Sequence, residues 1–219
     1  MSRRSEQLSE ALQEYVVAHS TQPDEVLRDL AEETLVRFGD AAGMQIGPEQ
    51  GRFMTMLAAL TGASRAIEVG TFTGYSSICV ARGLADDGTL LCCDVSEEWT
   101  SVARKYWQRA GLTEKIELRL GPAAETLAAL PVGTTFDFAF IDADKPGYVR
   151  YWDLIVPMIS SGGVILVDNT LSHGRVVDLA EQGDNVQGIR RFNGHAVADP
   201  RVELVLLPVG DGLTLARKL

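Results

Sequence analysis

Ala66-Ile67-Glu68-Val69-Gly70-Thr71-Phe72-Thr73-Gly74-Tyr75-Ser76-Ser77 is the stretch on which the reading of this chain turns. An apolar run carrying one acid passes into a loop with glycines at Gly70 and Gly74, and the apolar stretch Ile78 to Leu84 follows. The pattern predicts a strand, a tight loop and a helix. Glycine at those two places lets the backbone turn sharply and lets a ligand approach with no Cβ in the way. The unbonded N–H groups that open the helix then face the ligand. The spacing is Glu-x-Gly-x-x-x-Gly and not the dinucleotide fingerprint G-x-G-x-x-G. An acid two positions before the first glycine suits a ligand with an amino group as well as a carboxylate. On this stretch alone, a buried strand ending in an ordinary glycine turn stays open as the alternative.

Asp94 closes the next apolar run, Thr89-Leu90-Leu91-Cys92-Cys93-Asp94. An acid at the tip of the second strand, about 20 residues or more past the glycine loop, is where an α/β nucleotide-binding fold places its ribose-hydroxyl acceptor. The two stretches together suggest an adenosine bearing an amino-acid tail, a description that S-adenosylmethionine fits.

With 219 residues the chain is long enough to bury a full core around a sheet, and it is expected to be one domain. Its 46% apolar and 23% charged residues are those of a soluble globular protein. A formal charge of −10, with the acids spread along the chain, excludes a nucleic-acid partner held through its phosphates and makes a small molecule the expected partner. Cys79, Cys92 and Cys93 are an odd set, two of them adjacent on a predicted strand, and read as small buried apolar residues. No apolar run approaches the length of a membrane span, and Met1 to Glu6 lead into polar sequence with no signal core. No membrane partner and a cytoplasmic location are therefore expected.

Apolar residues at helical spacing predict amphipathic helices over Glu6 to His19 and Pro23 to Phe38, ahead of the sheet, and a third begins near Pro48. Beyond the glycine loop the pattern predicts strands at Thr89 to Asp94, Lys115 to Leu120, Phe136 to Ile141 and Val164 to Val167. Helices are expected at Glu97 to Ala110, Pro122 to Leu130 and Tyr148 to Ile159. Trp99, Val102, Ala103, Tyr106 and Ala110 form one face of the first of these. Apolar strands alternating with helices imply a parallel sheet covered on both faces. Arg201 to Leu207 and Leu213 to Leu219, joined by Pro208 to Gly212, read instead as a hairpin that makes the last strand antiparallel.

Two further strand ends carry oxygen donors, Ile141-Asp142-Ala143-Asp144-Lys145 and Val167-Asp168-Asn169. Ligands of an open α/β sheet gather outside the carboxyl ends of its strands, so both segments are expected on the rim that holds Gly70 and Asp94. Two carboxylates and an amide oxygen are hard donors that suit Mg²⁺, Mn²⁺ or Ca²⁺ better than zinc. A cation beside Lys145 disfavours the charged form of its amine, which suits it to accept a proton. Taken singly, each segment is as readily a polar turn, a loop acid or a surface lysine.

Glu68 to Ser76, the Phe-x-x-Ile-Asp-Ala-Asp-Lys run, Asp168-Asn169 and the tail from Asp199-Pro200-Arg201 to Gly212 together resemble the cation-dependent caffeoyl-CoA and catechol O-methyltransferase family. The resemblance runs from about Met44 to the C-terminus. It implies a Rossmann-like class I methyltransferase fold, a seven-stranded, mostly parallel sheet with an antiparallel last strand and helices on both faces, and a homodimer. It divides the chain into a helical extension over 1–42 and an S-adenosylmethionine-binding core over 43–219. By position it places Glu68, Gly70, Thr71, Ser76, Asp94 and Ala123 on the donor, with Met44 lining the pocket. Asp142, Asp168 and Asn169 fall on the metal ligands, and Lys145 on the general base beside Asp142. Leu171 to Gly188 resembles the family only in part, and His173 and His195 are expected to be surface residues.

The expected activity is divalent-cation-dependent methyl transfer from S-adenosylmethionine to a hydroxyl of a catechol-like small molecule. Two alternatives are a nicotinamide-dependent oxidoreductase, which the Glu-x-Gly spacing disfavours, and a non-catalytic protein that binds S-adenosylmethionine. The set Asp142, Asp168, Asn169 and Lys145 argues against the second, because a sensor has no need of a base beside a metal.

Overall fold

The computed structural model describes residues 9–219. In chain order the elements are α1 (Glu10–Ala18), α2 (Glu25–Phe38), α3 (Pro48–Thr61), β1 (Arg65–Val69), α4 (Tyr75–Gly83), β2 (Thr89–Asp94), α5 (Glu97–Arg109) and β3 (Ile116–Leu120). They continue with α6 (Ala123–Ala128), β4 (Phe136–Ile141), α7 (Tyr148–Ile155), β5 (Ile159–Val167), α8 (Asp184–Val197), β6 (Val202–Leu207) and β7 (Leu213–Lys218). The strands form one seven-stranded sheet in the order β3-β2-β1-β4-β5-β7-β6. β1 to β5 pair in parallel, and β7 runs antiparallel to both neighbours. The connection from Pro208 to Gly212 is too short for a crossover, so only a hairpin can follow β6.

Strict alternation along the strands sends residues to two separate cores. Ala66, Leu90, Cys92, Phe138, Phe140, Val164 and Leu166 pack with residues of α2, α3, α4 and α5. Ile67, Val69, Leu91, Cys93, Ala139, Ile141, Ile165 and Val167 pack with residues of α6, α7 and α8. The adjacent thiols of Cys92 and Cys93 thus enter opposite cores, and with Cys79 all three are free and buried.

Local signals set the helix ends. Ser9, Asp24 and Ser96 accept N–H groups of the first turns of α1, α2 and α5, and Pro48 opens α3. α2 lies against α5 through Arg109–Asp29 at 2.6 Å, a Lys105–Glu33 pair and Tyr106 Oη donating to Glu33 at 2.8 Å. The two ion pairs face solvent on at least one side and hold the helices only weakly. Burial of Leu27 and Leu30 from α2 outweighs them at about 1.5–3 kcal/mol per side chain.

The structure departs from the sequence-based expectations in three places. The helix expected over Glu6 to His19 is α1 from Glu10, and residues 1–8 lie outside those described. The helix expected to run to Ile159 ends at Ile155, because Pro157 has no N–H to continue it, and β5 starts at Ile159 instead of Val164. Of the five residues gained, Ile159 pairs with Phe136 and Ser160 to Gly163 bulge out before the Phe138–Val164 pairing. The third departure is α8, which was not anticipated although Val186, Ile189, Phe192 and Ala196 repeat at helical spacing and are all buried. Among the described residues no helix is long and apolar enough to cross a membrane.

Candidate active site

Parallel pairing places the ends of β2, β1, β4 and β5 in a row, and the backbone carries each loop one step further. Gly70 N–H donates to Cys93 O at 2.9 Å, Asp142 N–H to Val69 O at 2.8 Å and Asp168 N–H to Ile141 O at 3.0 Å. Asp142 and Asp168 are therefore lateral neighbours on strands about 4.8 Å apart. Gly70, at φ 92°, allows this closeness: a Cβ there would lie 1.9 Å from Asp142 O. Gly74, at φ 88°, lies with its Cα against Ala103 and Trp107 of α5, where a Cβ would meet both within 2.8 Å. The two sequence-marked glycines thus bring β1 against β4 and the loop against α5.

Around Asp142 the side chains form a tight cluster. Lys145 Nζ donates to Asp142 Oδ1 at 2.7 Å, Asn169 Oδ1 at 2.5 Å and Tyr148 Oη at 2.7 Å. Tyr148 Oη in turn donates to the Asp168 carbonyl at 3.2 Å. Asn169 holds a left-handed φ of 55° that aims its amide inward, and its own N–H donates to Asp168 Oδ1 at 2.8 Å. Asp168 is 3% exposed, and burial, followed by the charge of Asp142, holds its carboxyl well above the usual carboxylate range. Two carboxyl groups this close cannot both ionise cheaply without a positive charge between them. The Lys145 ammonium supplies one such charge. Asp142, Asp168 and Asn169 also fit a hard divalent cation, being oxygen donors from adjacent strand ends with an unsatisfied demand for positive charge.

One cavity of about 1420 Å³ takes in this cluster together with the glycine loop. Met44, Gly70, Thr71, Ser76, Asp94 and Ala123 line it, as do Asp142, Lys145, Asp168 and Asn169. Asp94 serves the loop as well: Oδ2 accepts the N–H groups of Thr71 and Phe72 at 2.9 and 2.8 Å, and Oδ1 accepts Ser96 N–H at 2.8 Å. Glu68 is the one expected donor contact that the structure does not bring to the cavity. It is fully buried on the face toward α4, where Oε2 meets Cys92 Sγ at 3.3 Å and Oε1 has no partner among the described residues. Burial pushes its carboxyl up to about 8, with the Thr71 and Ser76 hydroxyls opposing the shift.

Several lining residues escaped the sequence reading. Trp99, expected on the packed face of α5, is half-buried and meets Phe72 edge-on with ring centroids 5.2 Å apart at the cavity wall. Asp144 accepts Tyr151 Oη at 2.5 Å, and both line the cavity. Its position two residues past Asp142 on the same strand end was the available signal. His173 stands at the mouth with an exposed side chain, 3.5 Å from Asp211 Oδ2. His195 pairs with Asp153 at 2.7 Å on the outer face of α8 and does not line the cavity.

A family model described as O-methyltransferase matches residues 17–219. A probable caffeoyl-CoA O-methyltransferase of Dictyostelium discoideum is 39% identical over 217 residues, covering 97% of this chain and 94% of its own length. Caffeoyl-CoA O-methyltransferase 5 of Nicotiana tabacum is 36% identical over 223 residues, with 96% and 92% covered. Among solved structures, an O-methyltransferase from Bacillus cereus in complex with SAH superposes with a TM-score of 0.88 at 33% identity, covering 95% of this chain and 97% of that one. TomG of Streptomyces achromogenes, in complex with SAM, gives 0.85 at 30% identity, with 95% and 96% covered. With a class I methyltransferase sheet and a cavity that spans its glycine loop and neighbouring acidic strand ends, the chain belongs to the O-methyltransferase family.

Proposed function

We propose that this chain transfers the methyl group of S-adenosylmethionine to one hydroxyl of a catechol-like aromatic, with a divalent cation, Mg²⁺ first, at Asp142, Asp168 and Asn169. The observation that supports this reading most directly is the convergence of those three side chains with Lys145 in the cavity that also holds the Gly70–Gly74 loop. In it the chain works as a single domain, with 1–42 as a helical extension over the 43–219 core, and as the homodimer that the resemblance implies.

Asp94 takes the ribose hydroxyls, while Thr71 and Ser76 present the opening of α4 to the amino-acid end of the donor. Met44, Trp99 and Ala123 line the remaining wall. Asp142, Asp168 and Asn169 would hold a divalent cation, which would supply Lewis acidity toward a neighbouring hydroxyl. Lys145 Nζ, 2.7 Å from Asp142 Oδ1, first releases a proton to solvent as the cation takes over the charge of that carboxylate, and its neutral amine then takes the proton of that hydroxyl. The acceptor oxygen forms a bond to the methyl carbon as the carbon–sulfur bond breaks, and the electron pair stays on sulfur as a neutral thioether. The residues contribute mainly alignment, because an activated methyl needs only a deprotonated, in-line oxygen.

Methyl transfer to catechol and caffeic acid, followed with excess EDTA and again after Mg²⁺ is restored, tests the reading. Loss and recovery of activity is the expected result. Equal rates in the two conditions would remove the cation from the mechanism.

A further inference from the structure

Residues 171–183, which join the end of β5 to α8, form no strand and no α-helix. Apolar burial does little to hold them, since Val177 is 82% and Leu179 84% exposed. The backbone is also strained: Ser172 and His173, neither a glycine, hold consecutive left-handed φ values of 50° and 52°. L-residues leave that region unless their surroundings fix them there. One end of the segment is fixed by the β6–β7 connection, where Leu171 N–H donates to Asp211 O at 3.0 Å and His173 N–H donates to the Asp211 carboxylate.

The other end is fixed by one side chain of α8. Arg190 Nε donates to Val176 O at 3.0 Å, Nη1 to Glu181 O at 2.7 Å, and Nη2 to Arg175 O at 2.9 Å and to Asp178 O. Two of these carbonyls also close turns of the segment, Arg175 O accepting Asp178 N–H and Asp178 O accepting Glu181 N–H, each at 3.1 Å. A planar guanidinium can serve several carbonyls at once, which a lysine ammonium cannot match. Arg190 itself does not line the cavity, but Leu171, Ser172, His173 and Arg175 do. They follow Asn169 on the β5 side, whereas Gly70 and Asp94 lie on the far side of β4, at the ends of β1 and β2. With the donor at the glycine loop, the space in front of residues 171–175 is left to the acceptor.

We propose that Arg190 is a positioning residue of the acceptor site: by bonding the carbonyls of Arg175, Val176, Asp178 and Glu181 it keeps residues 171–183 folded as the wall that receives the acceptor, and so sets acceptor affinity without touching acceptor or donor. The proposal rests on the catechol reading above and adds to it the device that shapes the acceptor half of the cavity. An acceptor binds only those molecules whose wall is folded, so its apparent affinity falls with that fraction.

Arg190→Met keeps the apolar stem of the side chain, and Arg190→Lys keeps the charge. With saturating S-adenosylmethionine and Mg²⁺, Arg190→Met should raise KM for caffeic acid roughly tenfold, as expected when the wall is folded about a tenth of the time, and leave kcat near the wild-type value. Calorimetry should give wild-type affinity for S-adenosylhomocysteine, and Arg190→Lys should fall between the two in KM. Limited trypsin digestion reads the wall without turnover: the bond after Arg175 should be cut at least roughly tenfold faster in Arg190→Met than in the wild type. Should Arg190→Met fail to fold, Arg190→Lys carries the same comparison. Unaltered cleavage would overturn the clamp. Faster cleavage with an unaltered KM, or a rise in KM matched by an equal loss of S-adenosylhomocysteine affinity, would overturn the acceptor role. A wild type that methylates neither caffeic acid nor catechol would instead overturn the catechol reading and the acceptor role with it, while cleavage alone still judges the clamp.

Discussion

Asp94 at the end of β2 accepts the backbone N–H of Thr71, 23 positions earlier in the chain, at 2.9 Å, and so holds the glycine loop in its open shape. Asp94→Ala would strand that N–H together with those of Phe72 and Ser96 in a largely buried place. The expected loss is about 2–4 kcal/mol, from unmet donors that had a charged acceptor. A fall in melting temperature accompanied by weaker S-adenosylmethionine binding is the outcome to look for by thermal denaturation and calorimetry. Unchanged values for both would show that the loop stands without Asp94.

Gly70→Ala tests whether the β1 and β4 ends are packed as closely as the structure has them. Its Cβ would fall 1.9 Å from the carbonyl of Asp142 and would also need a left-handed backbone. Both effects act together, and a destabilisation of about 3 kcal/mol or more is expected. Denaturant midpoints measure it directly, and a loss below about 1 kcal/mol would contradict the packing.

Lys145→Ala should lower turnover by about 10² to 10⁴-fold if the amine moves the proton of the acceptor. The same change removes from Asp142 and Asp168 the cation that Lys145 supplies, so stabilisation by added Mg²⁺ in a thermal shift assay should persist or grow. Turnover that is unaltered across neutral pH would exclude Lys145 as the base. Loss of the Mg²⁺ shift would mean that it instead shapes the cation site.

Glu68 gives a pH dependence of known sign. Its carboxyl holds a proton up to about pH 8 in the folded chain, against 4.5 for an ordinary glutamate, because burial disfavours its charge. Between those values the folded state binds the extra proton. Stability should therefore decline as pH rises through the window and level off above it, at up to about 1.4 kcal/mol per pH unit. Glu68→Gln removes this component, so urea midpoints of variant and wild type should draw apart from pH 5 to 8.5 in favour of the variant. Parallel curves would mean that Glu68 is ionised in the folded protein.

What could be read in advance followed from periodicity and topology. The apolar runs and the glycine loop located the strands, and the rule that ligands gather at the carboxyl ends of a parallel sheet was enough to bring Asp94, Asp142, Asp168 and Asn169 to one cavity. The start of β5 stayed hidden because Ile155, Val156, Met158 and Ile159 continue the apolar character of α7 without a break, and the bulge at Ser160 to Gly163 has no periodic signature. Glu68 was legible as an acid near the loop but not as a residue beneath it, since alternation alone does not say which face of β1 α4 will cover. Arg190 was hidden for the opposite reason: a basic residue on a helix looks solvated until a loop folds its carbonyls over it.

The three thiols sealed into the two halves of the interior have a practical outcome. Burial pushes Cys79 and Cys93 up to about 12 and Cys92 well above its ordinary value, so none offers a thiolate to an alkylating reagent while the sheet is intact. Cys92 and Cys93 sit back to back on β2, between β3 and β1, with their side chains in opposite cores, so a reagent reaches both only when both layers over that strand come apart. The rate at which iodoacetamide marks this pair in the native protein is then a clock for opening of the whole molecule, and a ligand that closes the cavity should slow it.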